Sequence, residues 1–392
     1  MLRELSPEEQ LCCILCRKDL SEDHIDSARA LAQTGVEWER ILGFLERSRV
    51  FALAYRHLSG ALAREVPHSV LRRLGALTWA SMKRTEVMAD ELATILAAFE
   101  KEGLRVVPLK GPVLMGRIWG DHRLGVSSDL DLMVSHSDNR RAVEVLFEQG
   151  YRVRSDYCGD PFGNAKPWRN VVFVRRHNSG VLLTMDLQMS FISDRVARPL
   201  AGERVWKSLQ SKMFRGVPVW VPSDGWGLTY LAVHSLTHLF TSLYWVAQFH
   251  GLKTLCPDAW PGAIRCAHEI GAVRELLLVN QMSEMVLGDE MTSPEGTDRR
   301  IQRLVLSPFR EARQPFMNFH AAVSLRPGII SKIAYLFSIL FSPRPKDLAL
   351  FPLPRWLYPA YSVVRPAAVM WRALSGRYWR EFSAFGHGPK RQ

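Results

Sequence analysis

Cysteine is scarce: the 392-residue chain holds six, and they follow no regular spacing. A disulfide framework of the kind that staples small secreted domains is thereby excluded, and a reducing compartment is expected. Cys12-Cys13-x-x-Cys16 lies on a predicted helix but has no second ligand cluster to complete a zinc site, so buried thiols are favoured over metal there. No N-terminal signal is expected either. The opening residues are polar, and Ser6-Pro7-Glu8-Glu9 reads as a helix capping box with Pro at the first helical position. The expected location is cytoplasmic. No internal repeat is visible, and low-complexity sequence is confined to Gly288 to Arg299, a cluster of Asp, Glu, Thr, Ser, Pro and Gly that reads as a flexible connection.

The C-terminal part has few acids and no long apolar run. Between Arg326 and Gln392 eleven Lys and Arg stand against Asp347 and Glu381, a net +9 of the chain's formal +12. The longest apolar stretch there, Ile333 to Phe341, is nine residues, far short of the ~20 needed to span a bilayer. Pro343, Pro345, Pro352, Pro354, Pro359 and Pro366 cut this tail into short pieces. It carries twelve aromatic residues, among them Trp356, Tyr358, Tyr361, Trp371, Tyr378 and Trp379. Three readings remain open. Ile329 to Phe341 and Val363 to Leu374 are amphipathic helices packed on the body, or they make peripheral contact with a membrane surface, or, least favoured, they bind nucleic acid.

What is present suits a multidomain chain. With 47% hydrophobic and 23% charged residues there is material for two or three cores. Ser6 to Glu102 is helical in pattern throughout: Ile41, Leu42 and Leu45, then Val50, Leu53, Ala54 and Leu58, mark successive buried faces, and Ala80 to Phe99 leads into the first strand.

The chemistry-bearing stretch is Ser128-Asp129-Leu130-Asp131-Leu132-Met133-Val134. Period-two alternation is a strand pattern and sends Asp129 and Asp131 to one face, roughly 6–7 Å apart at Cα. Such carboxylates repel unless a cation lies between them, which suggests a divalent metal with phosphate as co-ligand. A solvated strand start is the plainer alternative. Upstream, Gly103 to Leu109 reads as a short strand ending in Lys110-Gly111-Pro112, with a short helix from Val113 to Trp119 stopped at Gly120-Asp121. Strand, glycine turn and helix N-terminus offer backbone N–H groups to an anion, and Lys110 adds charge. Downstream, Asn139 to Gln149 is an amphipathic helix. Val171 to Val174 and Val181 to Leu187 are two strands about a polar turn, the second carrying Asp186.

Leu109-Lys110-Gly111, the Ser128 to Val134 segment, the helix ending Glu148-Gln149-Gly150-Tyr151, and Met185-Asp186-Leu187-Gln188 together resemble the bacterial uncharacterised nucleotidyltransferase family of the DNA polymerase β-like superfamily. The resemblance runs over about residues 30 to 370, with 104 to 190 diagnostic. It implies an α+β fold: a mixed β-sheet nucleotidyltransferase core flanked by N-terminal and C-terminal helical segments. It further implies that Asp129, Asp131 and Asp186 bind two Mg²⁺ ions, with Asp186 as base, and that Lys110, Gly111 and Ser128 hold the phosphates of an NTP. Nucleotidyl transfer to a hydroxyl of an unidentified acceptor is the expected activity; a non-catalytic nucleotide-binding or membrane-peripheral protein is the alternative. Departures from the family pattern are Gly125 where relatives often carry Arg (Arg123 is nearby), Gln188 where His is usual, Lys-Gly in place of the superfamily's Gly-Ser, and Gln248 where an Asp is frequent.

The expected organisation is a helical prefix or lid over 1–102, the core over 103–225, a helical domain over 226–325, and the basic tail over 326–392. One helix is expected from Leu228 to Ala247. It would place His234 and His238 on one face, more in keeping with a domain interface near the nucleotide than with zinc, since the Glu of a metalloprotease helix is absent.

Overall fold

The computed structural model describes residues 5–154, 170–191, 201–237, 242–288, 323, 328–341, 357 and 360–374. The N-terminal part is helical: α1 (Pro7–Leu15), α2 (Glu22–Gln33), α3 (Trp38–Arg47), α4 (Phe51–Leu58) and α5 (His68–Lys101). Ser6 caps α1 as expected. Its side chain accepts from the Glu9 N–H, and the Glu9 carboxylate accepts from the Ser6 N–H. At 34 residues, α5 extends about 50 Å and leads into the sheet.

The central region alternates strand and helix: β1 (Val106–Pro108), α6 (Pro112–Trp119), β2 (Leu130–Val134), α7 (Asn139–Glu148), β3 (Arg152–Val153), β4 (Asn170–Arg176) and β5 (Leu182–Gln188). The strands order as β1-β2-β5-β4-β3. β2 and β5 run parallel, and the other pairings are antiparallel. This mixed sheet with flanking helices is the α+β architecture anticipated from the sequence. After α8 (Ala201–Lys207), β6 (Gln210–Phe214) and β7 (Val217–Val221) form a separate hairpin. Arg215 caps its turn in the left-handed region at φ 50°, followed by Gly216.

Four further helices follow: α9 (Asp224–Thr237), α10 (Leu243–Leu255), α11 (Trp260–Ile270) and α12 (Val273–Leu287). The single helix expected from Leu228 to Ala247 is therefore two. Ser242 is extended at φ −144°, ψ 134°, and its side chain accepts from the Tyr244 N–H, capping α10. α13 (Gly328–Phe341) and α14 (Tyr361–Leu374) match the helices read in the tail, and no described helix is long and apolar enough to cross a membrane. Most of the Gly288 to Arg299 loop lies outside the described residues.

Two hydrophobic cores sandwich the sheet. Leu130, Leu132, Val134, Met185 and Leu187 join Leu92, Ile95 and Phe99 of α5 and Val143 and Leu146 of α7 on one side. Val107, Met133, Met115 and Trp119 face the other side, where α1 to α4 and α9 to α12 share one continuous core. Cys12, Cys13 and Cys16 are buried in that second core as free thiols. Burial raises the pKa of Cys16 to about 12, so these are packing groups rather than ligands or nucleophiles.

Candidate active site

Strand alternation decides which face the acids take. Leu130 and Leu132 enter the α5–α7 core, so Asp131 between them points to the opposite face; Met185 and Leu187 do the same for Asp186. In the parallel β2–β5 pairing Asp131 is the direct register partner of Asp186, which sets the two carboxylates side by side. Asp129 sits just before β2, half-buried, and accepts a hydrogen bond from Ser128 Oγ at 3.0 Å.

Lys110 completes the group. The Leu109 N–H donates to the Asp131 carbonyl at 3.0 Å, extending the β1–β2 pairing to the lysine's neighbour. Gly111 then turns the chain at φ 77°, ψ −150°, a conformation that side chains oppose, and α6 begins at Pro112. The turn leaves Lys110 beneath the sheet edge, with Nζ 3.1 Å from Asp131 Oδ2. Lys110 Nζ also lies 3.4 Å from His234 Nε2 and 5.5 Å from the Trp245 ring centroid. The ammonium donates, so His234 Nε2 accepts. His234 is held between aromatic rings, stacked on Tyr230 at 5.5 Å and edge-on to Trp245 at 4.8 Å.

The electrostatics follow from burial. Desolvation pushes the Asp131 carboxyl up to about 7; Lys110 opposes that rise, while Asp129 and Asp186 add to it. Burial works against the Lys110 charge as well, but Asp131, Asp129 and Asp186 outweigh it and hold its pKa above the ordinary value. Tyr230 is driven far up by burial and by the same three carboxylates, so its phenol stays neutral.

Family departures have structural counterparts. A Cβ on Gly125 would lie 2.3 Å from Met115 Cγ, so a side chain of any size is blocked by Met115. Met115 is itself buried, and its sulfur receives the Tyr244 hydroxyl at 3.4 Å and the Gln248 amide at 3.6 Å. Gln248 is thus part of that packing. Gln188 lies two residues beyond Asp186 on the same strand face, in register with Met133. Arg123 is engaged by Asp121 at 2.9 Å.

A family model described as "Uncharacterised nucleotidyltransferase" matches residues 34–288. The chain belongs to this family. The match covers every strand of the nucleotidyltransferase sheet, all three acids, and the Lys110-Gly111 turn. A search of curated proteins and a search of solved structures each found no match.

The sequence singles out six nucleotidyltransferase site residues. Asp131, Asp186 and Lys110 meet on one face; Asp129 with Ser128 lies at its entrance and Gly111 makes the turn. His234 reaches the same place, while His238 lies outside the described residues. Sequence reasoning missed Tyr230 and Trp245, whose positions depend on how α9 and α10 pack. Their spacing alone carries no such signal. Three carboxylates form a hard oxygen donor set of the kind divalent cations take. Among the described residues no three metal-ligating side chains close on one point, and the cation lying against Asp131 is Lys110's own ammonium. The oxygen donor set is of the right chemistry for a divalent ion.

Proposed function

We propose that the chain is a Mg²⁺-dependent nucleotidyltransferase of the polymerase β-like kind, moving an NMP from an NTP to a hydroxyl of an acceptor. The observation that carries the reading is the register pairing of Asp131 with Asp186 on adjacent parallel strands, with Asp129 two residues upstream. Asp129, Asp131 and Asp186 would hold the metal. Bound there, it would supply charge neutralisation for the phosphates and for the departing pyrophosphate.

The chain's own groups do the remaining work. Asp186 takes the proton of the acceptor hydroxyl as its oxygen attacks the α-phosphate in line, and pyrophosphate leaves. Lys110 gives its ammonium to the phosphates. The Gly111 turn and the start of α6 bring backbone N–H groups near them, and Ser128 orients Asp129 through its 3.0 Å hydrogen bond.

The test is incubation of the purified protein with α-labelled NTPs, Mg²⁺ and a cell extract, followed by mass spectrometry for a nucleotidylated product. A labelled product that disappears with Asp129→Asn supports the reading; full transfer by that variant would refute the assignment of the acids. A second reading, nucleotide binding without turnover, is favoured by one observation: Met115 fills the space that any side chain at position 125 would need, the position where the family resemblance often implies Arg. Calorimetry with each NTP and Mg²⁺ separates the two, since that reading requires tight binding and no product.

For the tail, Ile329, Ile333 and Phe337 are exposed along one side of α13, and neither α13 nor α14 contains an acid. With the basic charge around them these features support contact with an anionic lipid surface. Co-sedimentation with phosphatidylglycerol vesicles, reduced by Phe337→Asp, is the expected result; equal sedimentation with neutral vesicles would count against it.

A further inference from the structure

We propose that Lys110 is a built-in counter-cation that occupies the acid cluster before substrate arrives, must be displaced when a divalent ion binds, and then passes to the nucleotide's phosphates. The inference rests on the nucleotidyltransferase reading above and adds an order of events to it.

The backbone sets the lysine's course. Lys110 follows a residue whose N–H is bonded to Asp131's carbonyl, and the Gly111 turn fixes the direction in which the chain leaves. The lysine stem therefore has little choice but to run along β2 toward the acids. Its side chain is 13% exposed and that of Asp131 8%. A charge so covered is retained only with a partner, and at 3.1 Å Asp131 is that partner. His234 and Trp245 complete the cage, one through a ring nitrogen that accepts, the other through its π face.

A dication coordinated by Asp131 would have to share a carboxylate with an ammonium already in contact with it. Two cations at that range in a covered site repel strongly, so one must leave. Neither His234 nor Trp245 carries a negative charge that would receive the displaced ammonium. A triphosphate brings that charge with it. Metal alone therefore binds against Lys110, and phosphate relieves the conflict, which makes the two binding events mutually favourable. The site stays closed to stray metal and opens to metal with nucleotide.

The experiment uses Mn²⁺ as the probe and the full chain, at about pH 8.5 so that buried carboxyls are ionised. Free Mn²⁺ is followed by electron paramagnetic resonance for wild type and for Lys110→Met, which keeps the apolar stem. Lys110→Met is expected to bind Mn²⁺ about tenfold more tightly, a coupling of ordinary size between competing sites. Equal affinity in the two proteins would overturn the displacement while leaving the metal site standing. No Mn²⁺ binding by either would remove the metal site and the inference together.

A second measurement needs no variant. Wild-type protein is treated with an amine-acetylating reagent, and modification of Lys110 is mapped by mass spectrometry. Mn²⁺ is expected to speed acetylation of Lys110 several-fold relative to the other lysines, and inorganic tripolyphosphate added with excess Mn²⁺ to protect it again. Labelling of Lys110 unchanged by Mn²⁺ would overturn the displacement. Failure of tripolyphosphate to restore protection would overturn the hand-over to phosphate.

Discussion

Replacing Asp131 with Asn should flatten the pH dependence of stability and abolish the proposed transfer, at an overall cost from leaving the covered Lys110 ammonium without its partner. The carboxyl is almost fully covered, and burial raises its pKa from 3.8 to about 7. A group whose folded pKa exceeds its unfolded value binds its proton more tightly when folded, so stability falls as pH rises from about 4 toward 7. Each pH unit separating the folded and unfolded values is worth ~1.4 kcal/mol, so the full penalty is about 4 kcal/mol, of which about 3 kcal/mol is incurred between about pH 5 and about pH 8. His57 works in the opposite direction: burial lowers its pKa, so it costs stability as pH falls below the ordinary histidine range. That contribution is common to both proteins and cancels in their difference. The assay is thermal unfolding of wild type and Asp131→Asn side by side over this pH range. The midpoint of the variant should gain on wild type with rising pH, by on the order of 3–4 °C for that free-energy difference. Parallel curves would refute the reasoning, because the carboxylate would then carry no burial penalty for Asn to remove.

Three further expectations concern neighbouring features. Gly125→Ala drives a methyl into Met115 and should cost about 1–3 kcal/mol in urea unfolding, and less than that when it is introduced into a Met115→Ala background, since the clash is then gone. Arg175→Ala should cost about 3 kcal/mol in the same assay, because it strips the cation from buried Glu91, whose other hydrogen-bond partner among the described side chains is the Tyr151 hydroxyl at 2.9 Å. Cys12, Cys13 and Cys16 should resist iodoacetamide in the folded protein and react once it is unfolded, as peptide mapping would show. Rapid native labelling would contradict their burial.

The parts of the fold that are legible in the sequence are those written in local pattern. Alternating Leu130-Asp131-Leu132 marks β2, Pro112 and Gly120 bracket α6, and the polar residues between Val174 and Val181 mark the β4–β5 turn. The β6–β7 hairpin is less legible, although Arg215-Gly216 followed by Val217-x-Val219-x-Val221 carries the turn and the period-two alternation in miniature. Ser242 breaks an apolar stretch that reads as continuous helix, because a cap is visible only once the backbone is seen to leave the helical region. The acids can be nominated from sequence since period two fixes their face. The ion pair between Lys110 and Asp131 cannot, since it depends on β1 pairing with β2 and on the direction of the Gly111 turn. The same holds for Tyr230 and Trp245, which meet His234 through helix packing alone.

The sheet's single parallel pairing has a consequence for how the chain reaches its native state. The β1–β2, β3–β4 and β4–β5 pairings join neighbours along the chain, whereas β2–β5 ties residue 130 to residue 185 across α7 and two strands. Contacts of such sequence separation carry a larger loop-closure cost than pairings of chain neighbours. Asp131 and Asp186 therefore meet only when the β2–β5 pairing closes. A partly folded chain can hold its helices and hairpins and still have no acid cluster, so the assembly of the cluster marks the completion of the sheet.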